Sequence, residues 1–363
     1  MTSSMKTRKT SPGGKDYGYS NARIRGMRSR LLGEPFLKGL TAAPDTSALI
    51  QDLSGTEYGS DLDEALIHGR TAASVDEALK NNLVRTYRKV QGFLNDEASY
   101  IVSTLLGRWD VFNVKTILRG NHMHLSAQEI ADGLLPAGAL SLVELEALTI
   151  LGDIKAVVDT AVTWGLPYAP AMREGYAEYM RSGELADLEL ALDRYYTHLA
   201  SSRLAGRGLN ARVAREILGV QIDTMNLVMV FRLQKADLES VKVEEFFLDG
   251  GKSISQDLYN ELAHMSDVDE VIDRLKGTPY GHTLDAAVLK YLEENSISVF
   301  ERTLEDFHMR KALAVGRGDP LGIGIAIAYL WAKQNEVTNL RIIVKGKSVG
   351  MPMERVRREL ILV

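Results

Sequence analysis

The chain of 363 residues is long enough to bury a large core, and 45% hydrophobic with 25% charged residues is typical of a globular protein. A formal net charge of −5 argues against a general nucleic-acid binder. The absence of cysteine excludes disulfides, thiolate metal sites and cysteine nucleophiles. No run of 18 or more apolar residues occurs, so the sequence predicts no membrane-spanning helix.

The first segment, residues 1–15, is rich in Ser, Thr, Lys and Gly and has no apolar stretch. This composition predicts a disordered tail and is unlike that of a secretory signal peptide.

Helix caps and apolar spacing then predict helices along the whole chain. We expect Asn95 to cap one long helix, Asn210 a second, and Asp319 a third with Pro320 at its first position. Apolar residues three and four positions apart predict amphipathic helices over 142–148, 185–192 and 268–275. With no hairpin signal between alternating strands, the predicted fold class is all-α.

One motif recurs at equal spacing. Its three asparagines lie 113 residues apart, and a basic residue follows each of them six positions later. The asparagine and basic residue of the three copies are Asn113 and Arg119, Asn226 and Arg232, and Asn339 and Lys345. A fourth, looser copy surrounds Asn21.

The motif residues have two interpretations each. An asparagine in an apolar helix must be hydrogen-bonded, so it either joins neighbouring helices or subdomains or contacts a partner protein. Gly120 and Gly346 follow the basic residue, which predicts that the helices end there. Arg119 and Lys345 would then either face the helix dipole or bind a partner.

Two further sets of aromatic residues recur in phase with the motif. The first set is Tyr58, Tyr168 and Tyr280, and the second is Tyr87, Tyr196 and Phe307. A period near 113 is too long for the common helical solenoids. We therefore expect three pseudosymmetric helical bundles. The predicted divisions are the tail at 1–15, repeats at 16–108, 109–221 and 222–334, and a C-terminal segment at 335–363 that repeats the motif.

No catalytic or cofactor chemistry stands out. Gly-Lys-Ser occurs at 251–253 and 346–348, but a phosphate-binding loop needs a glycine where Phe246 and Arg341 stand. The seven histidines are scattered, without a metal-binding spacing. The sequence thus predicts no catalytic residues, no cofactor, no metal and no small-molecule substrate.

The segments Tyr19–Arg30, Asp110–Gly120 and Asn339–Pro352 together resemble the C subunit of archaeal and bacterial A/V-type ATP synthases, the counterpart of the d subunit in vacuolar ATPases. The resemblance covers the chain from about Lys15 to its end. It departs at Val228, where the other copies carry a basic residue, and the tail is not explained by it.

The resemblance implies a funnel of three helical subdomains on the cytoplasmic face of the membrane. Such a protein is a non-catalytic rotor part, a socket that joins the central stalk to the proteolipid ring and transmits torque. The alternatives are a soluble all-α adaptor unrelated to the ATPase and an enzyme with an unrecognised site. The sequence does not distinguish proton from sodium transport.

The candidate interaction or inter-subdomain residues are Asn113, Lys115, Arg119, Asn226, Arg232, Asn339, Arg341 and Lys345. The copies differ two positions after the asparagine, where Lys115 and Arg341 are basic but Val228 is apolar. Because a stalk must enter a threefold socket in one orientation, we expect docking to depend on such differences.

Overall fold

The computed structural model describes residues 17–234, 243–265 and 267–363. Within those ranges every regular element is a helix and none is a strand, which confirms the all-α prediction. The predicted tail at residues 1–15 lies outside the described residues.

The described ranges contain nineteen α-helices, several of which begin at a side-chain cap. They are α1 (Gly18–Arg28), α2 (Glu34–Ala42), α3 (Thr46–Ser54), α4 (Gly59–Ala65), α5 (Ala72–Gln91), α6 (Asp96–His122), α7 (Ala127–Gly133), α8 (Leu142–Thr149), α9 (Ile154–Thr163), α10 (Ala169–Ser182), α11 (Leu185–Arg203), α12 (Leu209–Leu233), α13 (Gln256–Ala263), α14 (Val268–Leu275), α15 (Gly281–Asp285), α16 (Val288–Glu294), α17 (Ser298–Ala314), α18 (Gly324–Ser348) and α19 (Met353–Arg358). The three segments predicted to be amphipathic helices are helical, as α8, the start of α11, and α14, but the apolar Leu142 and Val143 of α8 are exposed.

Three long helices, α6, α12 and α18, carry the three copies of the motif. Helix α6 packs on α11, and α12 packs on α17. Helix α18 packs on α5, which lies near the other end of the chain. Helix α12 also contacts both α6 and α18. The last motif helix therefore closes onto the N-terminal part of the protein.

The buried apolar side chains form two clusters. The larger contains residues from both ends of the chain, from Tyr17 to Ile361, so the N-terminal helices share one core with α18 and α19. The smaller runs from Leu227 to Leu304 and joins the second half of α12 to α13 through α17. Since burial of apolar surface is the main driving force for folding, the shared core keeps the two chain ends together.

The predicted divisions between repeats fall inside helices. Residues 109, 222 and 335 lie within α6, α12 and α18. The spacing of the motif gives the length of one repeat, but it does not show at which residue a helix begins or ends. The division into three repeats stays a prediction.

Of two helix starts predicted from a capping asparagine, one is confirmed and one is wrong. The Asn95 side chain accepts the Ala98 N–H at 2.9 Å and caps α6, as predicted. The prediction for Asn210 is wrong, because this residue lies inside α12. Its carboxamide accepts the Ile323 N–H at 3.0 Å and donates to the Tyr17 hydroxyl at 3.3 Å, joining distant parts of the chain.

The predicted start of the third long helix is also wrong. The Asp319 carboxylate accepts the Leu321 N–H at 2.9 Å, which stabilises a turn, and α18 begins only at Gly324. Pro320 lies in that turn, where its carbonyl accepts a hydrogen bond from Asn21.

Gly120 and Gly346 do not end their helices, since α6 and α18 each continue two residues further. A Cβ at Gly120 would lie 2.3 Å from Cγ1 of Ile130, and a Cβ at Gly346 would lie 2.5 Å from Cγ2 of Val356. Both glycines permit close approach of the chain that follows the helix, so their role is in packing.

Candidate functional site

Each motif asparagine is fully buried and forms the same pair of hydrogen bonds. Its Nδ2 donates to the backbone carbonyl of the residue 22 positions later, and its Oδ1 accepts that residue's N–H. The three pairs, with the two distances of each, are Asn113–Leu135 (2.8 and 2.7 Å), Asn226–Leu248 (2.9 and 2.9 Å) and Asn339–Ile361 (2.8 and 3.0 Å). We call each pair an asparagine clamp, and it fixes the segment that follows a motif helix to the body of that helix.

The looser copy at Asn21 does not form this clamp. Its Nδ2 donates to the carbonyl oxygens of Pro320 and Gly322, at 3.2 and 3.0 Å, before the start of α18. Asn21 is thus not equivalent to the other three, although it is equally buried.

A buried carboxylate stands three positions before each clamp asparagine. Asp110 accepts the N–H groups of Ala139 and Leu140, at 3.0 and 2.9 Å. Asp223 accepts three consecutive N–H groups, those of residues 252–254, at 2.8–3.1 Å. Glu336 accepts the Leu32 N–H. Each carboxylate thus satisfies backbone donors of a loop that packs against its helix.

Glycine lets two of these carboxylates come close to the loop. A Cβ at Gly138 would lie 2.1 Å from Oδ1 of Asp110, and one at Gly251 would lie 2.2 Å from Oδ1 of Asp223. The two glycines are also 113 residues apart. Burial raises the pKa of Asp110 to about 6 and raises the pKa of Asp223, although the N–H donors favour the charged forms.

Two of the three recurring tyrosines Tyr58, Tyr168 and Tyr280 bond these carboxylates. The Tyr280 hydroxyl donates to Asp223 at 2.8 Å, and the Tyr58 hydroxyl donates to Glu336 at 2.6 Å. Burial, together with the neighbouring carboxylate, raises the pKa of both tyrosines. Tyr168 donates instead to the Gly107 carbonyl at 3.0 Å, in α6. Each tyrosine connects the start of another helix to one motif helix.

The basic residue six positions after the asparagine has an acidic partner in two copies. Arg119 makes two bonds of 2.5 Å to Glu189 of α11, and Arg232 bonds Glu301 of α17 at 2.7 Å. Lys345 forms no ion pair within the described parts of the chain. The glutamates, not the helix dipole alone, therefore hold Arg119 and Arg232.

The residues two positions after the asparagine are also engaged within the chain. Lys115 bonds Asp193 of α11 at 2.7 Å, and Arg341 bonds Asp76 of α5 at 2.5 Å. Val228 packs against the smaller core. The two ion pairs join α6 to α11 and α18 to α5, which are the same helix pairs that pack against each other in the core.

Neither Gly-Lys-Ser segment is shaped to hold a phosphate. Residues 346–348 belong to α18, where backbone N–H groups bond within the helix. In the other segment the N–H groups of Lys252 and Ser253 already donate to Asp223. The position of a phosphate is taken by a carboxylate of the chain itself.

A sequence model of the ATP synthase (C/AC39) subunit family matches residues 20–359. The chain belongs to this family. Three curated relatives illustrate the similarity. The A-type ATP synthase C subunit of Methanococcoides burtonii is 29% identical over 359 residues, covering 98% of this chain and 96% of that protein. The one of Methanocaldococcus jannaschii is 27% identical over 345 residues, covering 95% and 86%.

The V-type ATP synthase C subunit of Deinococcus radiodurans is 28% identical over 344 residues, covering 95% of this chain and 91% of that protein. The similarity thus extends over nearly the whole length on both sides, in relatives carrying either the A-type or the V-type name. It confirms the resemblance drawn from the motifs.

Within the described part of this C/AC39 family member, no helix combines the length and apolarity needed to span a bilayer. The same residues contain no group of three or more His, Asp or Glu side chains arranged to bind a metal ion.

Sequence reasoning missed two features of this C/AC39 family member. The buried carboxylates Asp110, Asp223 and Glu336 were overlooked, although their spacing of 113 was a sufficient signal. Also missed was Arg108, whose guanidinium lies 4.9 Å from the ring centre of Trp109 and 4.4 Å from that of Trp331. Arg108 has no basic counterpart in the other copies, so the repeat could not reveal it.

Proposed function

We propose that this chain is a non-catalytic rotor subunit of an A/V-type ATP synthase or ATPase. It forms a socket that couples the central stalk to the membrane proteolipid ring and transmits torque between ion translocation and ATP synthesis or hydrolysis. The observation that carries this proposal is the closure of α18 onto α5, which joins the two ends of the chain through one core and one repeated set of buried bonds.

A part that transmits torque must resist deformation between its two contacts. Three asparagine clamps and three buried carboxylates fix each motif helix to the elements around it, and fully satisfied buried polar networks rigidify a fold. We infer that the three repeats form pseudosymmetric subdomains of a funnel. The asparagines serve this internal framework, and the basic residues of the motif lie at its edges.

The partners in this proposal are the central-stalk subunits and the proteolipid ring, without nucleic acid or small-molecule substrate. The chain would lie on the cytoplasmic face of the membrane as a peripheral subunit. The family membership and the names of the relatives support this assignment.

The decisive experiment is affinity purification of the tagged chain from native membranes. We expect stalk and proteolipid subunits to co-purify with it. Removal of the chain should abolish ion pumping driven by ATP in reconstituted vesicles, while the catalytic head still hydrolyses ATP. A chain that purifies with neither partner would instead fit a soluble adaptor unrelated to the ATPase.

The non-catalytic assignment has its own test. Calorimetry of the isolated chain with ATP should show no binding in the micromolar range, because both Gly-Lys-Ser segments use their backbone N–H groups internally. Micromolar binding that disappears in Lys347→Ala or Lys252→Ala would contradict the assignment.

A further inference from the structure

The three motif helices differ in chemistry five, four and one positions before the clamp asparagine. In α6 these positions hold a cation and two aromatic rings, whereas the other two helices have none of these. The residues are Arg108, Trp109 and Phe112 in α6, Gln221, Ile222 and Met225 in α12, and Gln334, Asn335 and Thr338 in α18.

Arg108 is a cation that bonds no carboxylate of the described chain, although the Glu305 carboxylate favours its charge from a longer distance. Its Nη2 donates to Oε1 of Gln334, a neutral acceptor, and its Nε has no acceptor among the described residues. Within the described chain it forms no ion pair with a carboxylate. Burial lowers the pKa of Arg108, which is the physical sign of a charge that its surroundings stabilise poorly. A carboxylate placed beside it would offset part of this penalty.

Three other basic residues of the motif helices already have an acidic partner within the chain. Lys115 is neutralised by Asp193, Arg341 by Asp76, and Arg119 by Glu189. A partner that binds through those cations must first displace an acid of the chain itself. Arg108 offers its charge without that competition.

The neighbours of Arg108 are suited to a protein contact. Phe112 is 44% exposed, and its ring meets that of Trp109 edge to face at 5.5 Å between centroids. Trp109 Nε1 is buried and has no acceptor among the described residues. Arg, Trp and other aromatic side chains are enriched among the residues that dominate the energy of protein interfaces.

We propose that Arg108, Trp109 and Phe112 form the seat of an acidic segment of the central stalk. A stalk carboxylate pairs with the Arg108 guanidinium, and an apolar stalk side chain covers Phe112. The proposal rests on the proposed function and places the asymmetry of the socket here, not at Lys115 and Arg341. Because the equivalent positions hold glutamines, only one of three related orientations of the stalk places its carboxylate beside a cation.

The test is calorimetric titration of the full chain with the purified central-stalk subunits of the same ATP synthase. Arg108→Gln, which copies α12 and α18, should weaken binding by about 30-fold or more. Phe112→Ser should weaken it by about 10-fold. The matched control is Arg119→Gln, which removes a charge from the same helix where the side chain is 53% exposed and already paired, and should change affinity by less than about 3-fold.

A thermal melt of each variant shows whether it folds, and Arg108→Lys gives a second test that keeps the charge. That variant should bind the stalk more tightly than Arg108→Gln and should retain the salt sensitivity of the wild type. Equal stalk affinity of wild type, Arg108→Gln and Arg108→Lys would overturn the proposal.

If the surface around Arg108 binds something other than the stalk, the same variants give different results. If Arg108→Gln loses binding to the detergent-solubilised proteolipid ring but keeps its stalk affinity, the proposal is wrong and the surface faces the ring. If inorganic phosphate binds the wild type but not Arg108→Gln, with stalk affinity unchanged, the surface is a small-anion site and the proposal is again wrong. A wild type that binds neither stalk nor ring would refute the proposed function itself.

Discussion

The second and third motif helices hold a buried carboxylate at the same position but draw its partners from opposite directions along the chain. Asp223 in α12 is bonded by groups 29 to 57 residues downstream, ending at Tyr280. Glu336 in α18 is bonded by Leu32 and Tyr58, which lie 304 and 278 residues upstream. At α18 the N-terminal helices thus take the place that the downstream segment occupies at α12.

The contact of α18 with the N-terminal helices differs from the surroundings of α12 in one further respect. Lys333 and Glu336 form a buried ion pair of 2.8 Å, whereas the residue equivalent to Lys333 in α12 is Val220. Burial lowers the pKa of Lys333, and Glu336 opposes this change. The net gain from a buried pair is small, but removing one partner leaves an isolated buried charge. The junction between the chain ends therefore depends on both residues being present.

Glu336→Gln should cause the largest loss of stability among the single substitutions that test this comparison. It leaves the Lys333 ammonium buried without its ion-pair partner, and we expect a loss of about 3–5 kcal/mol in the free energy of unfolding. Asp223→Asn is the matched control, since no buried cation faces it, and should cost about 1–3 kcal/mol. Urea denaturation measures both, and equal losses would contradict the special role of the closure.

The third asparagine clamp is held by the end of the chain, which permits a second test. Ending the chain at Leu360 removes Ile361, whose backbone N–H and carbonyl pair with Asn339 and whose carbonyl also accepts from Asn335. We expect a loss of about 2–4 kcal/mol, because several buried polar groups then lack partners.

Deleting Val363 alone is the control for this truncation. Val363 is 53% exposed, and its loss should cost less than about 1 kcal/mol. If the two shortened chains unfold at the same urea concentration, the clamp at Asn339 contributes little to stability.

In the first motif helix, α6, the equivalent carboxylate Asp110 can be tested by the pH dependence of stability. Burial raises the pKa of Asp110 to about 6, above its value in the unfolded chain. The stabilisation from the proton is therefore complete below about pH 4 and is lost as pH rises through about 6. Asp110→Asn, which is neutral throughout, should lack this loss. Between about pH 4 and 7 the stability of wild type relative to the variant should fall by about 2–3 kcal/mol.

Urea denaturation over that pH range makes the measurement, with Asp257→Asn as a control at an exposed site. A difference between wild type and Asp110→Asn that stays constant with pH would show that Asp110 titrates normally. The control variant should follow the wild type.

The sequence predicted the helical class, the motif helices and the Asn95 cap because each depends on local pattern. It failed where a side chain acts over a long distance. Asn210 resembles a cap, yet it bonds Ile323, which is 113 residues away. Glu336 closes the chain on Tyr58, and no local pattern announces that contact. The repeat was the one long-range signal, and reading it at the acidic positions would have located the carboxylates.

The last and smallest prediction concerns the glycine seven positions after the clamp asparagine. Helices α6 and α18 have Gly120 and Gly346 there, whereas α12 has the buried Leu233. Gly346→Ala would place a Cβ 2.5 Å from Cγ2 of Val356. Overpacking of this kind costs about 1–3 kcal/mol, although alanine by itself favours a helix.

A double substitution separates these two effects. With Val356→Ala the obstructing methyl groups are gone, and its Cβ would lie an ordinary 3.6 Å from the new Cβ at position 346. Gly346→Ala should then cost less than it does in the wild type, and urea denaturation of the full cycle measures this coupling. Gly26→Ala in α1, where a Cβ would meet nothing within 4 Å, should cost nothing and is the control. If Gly346→Ala costs the same with and without Val356, the glycine does not serve the packing of α19 against α18.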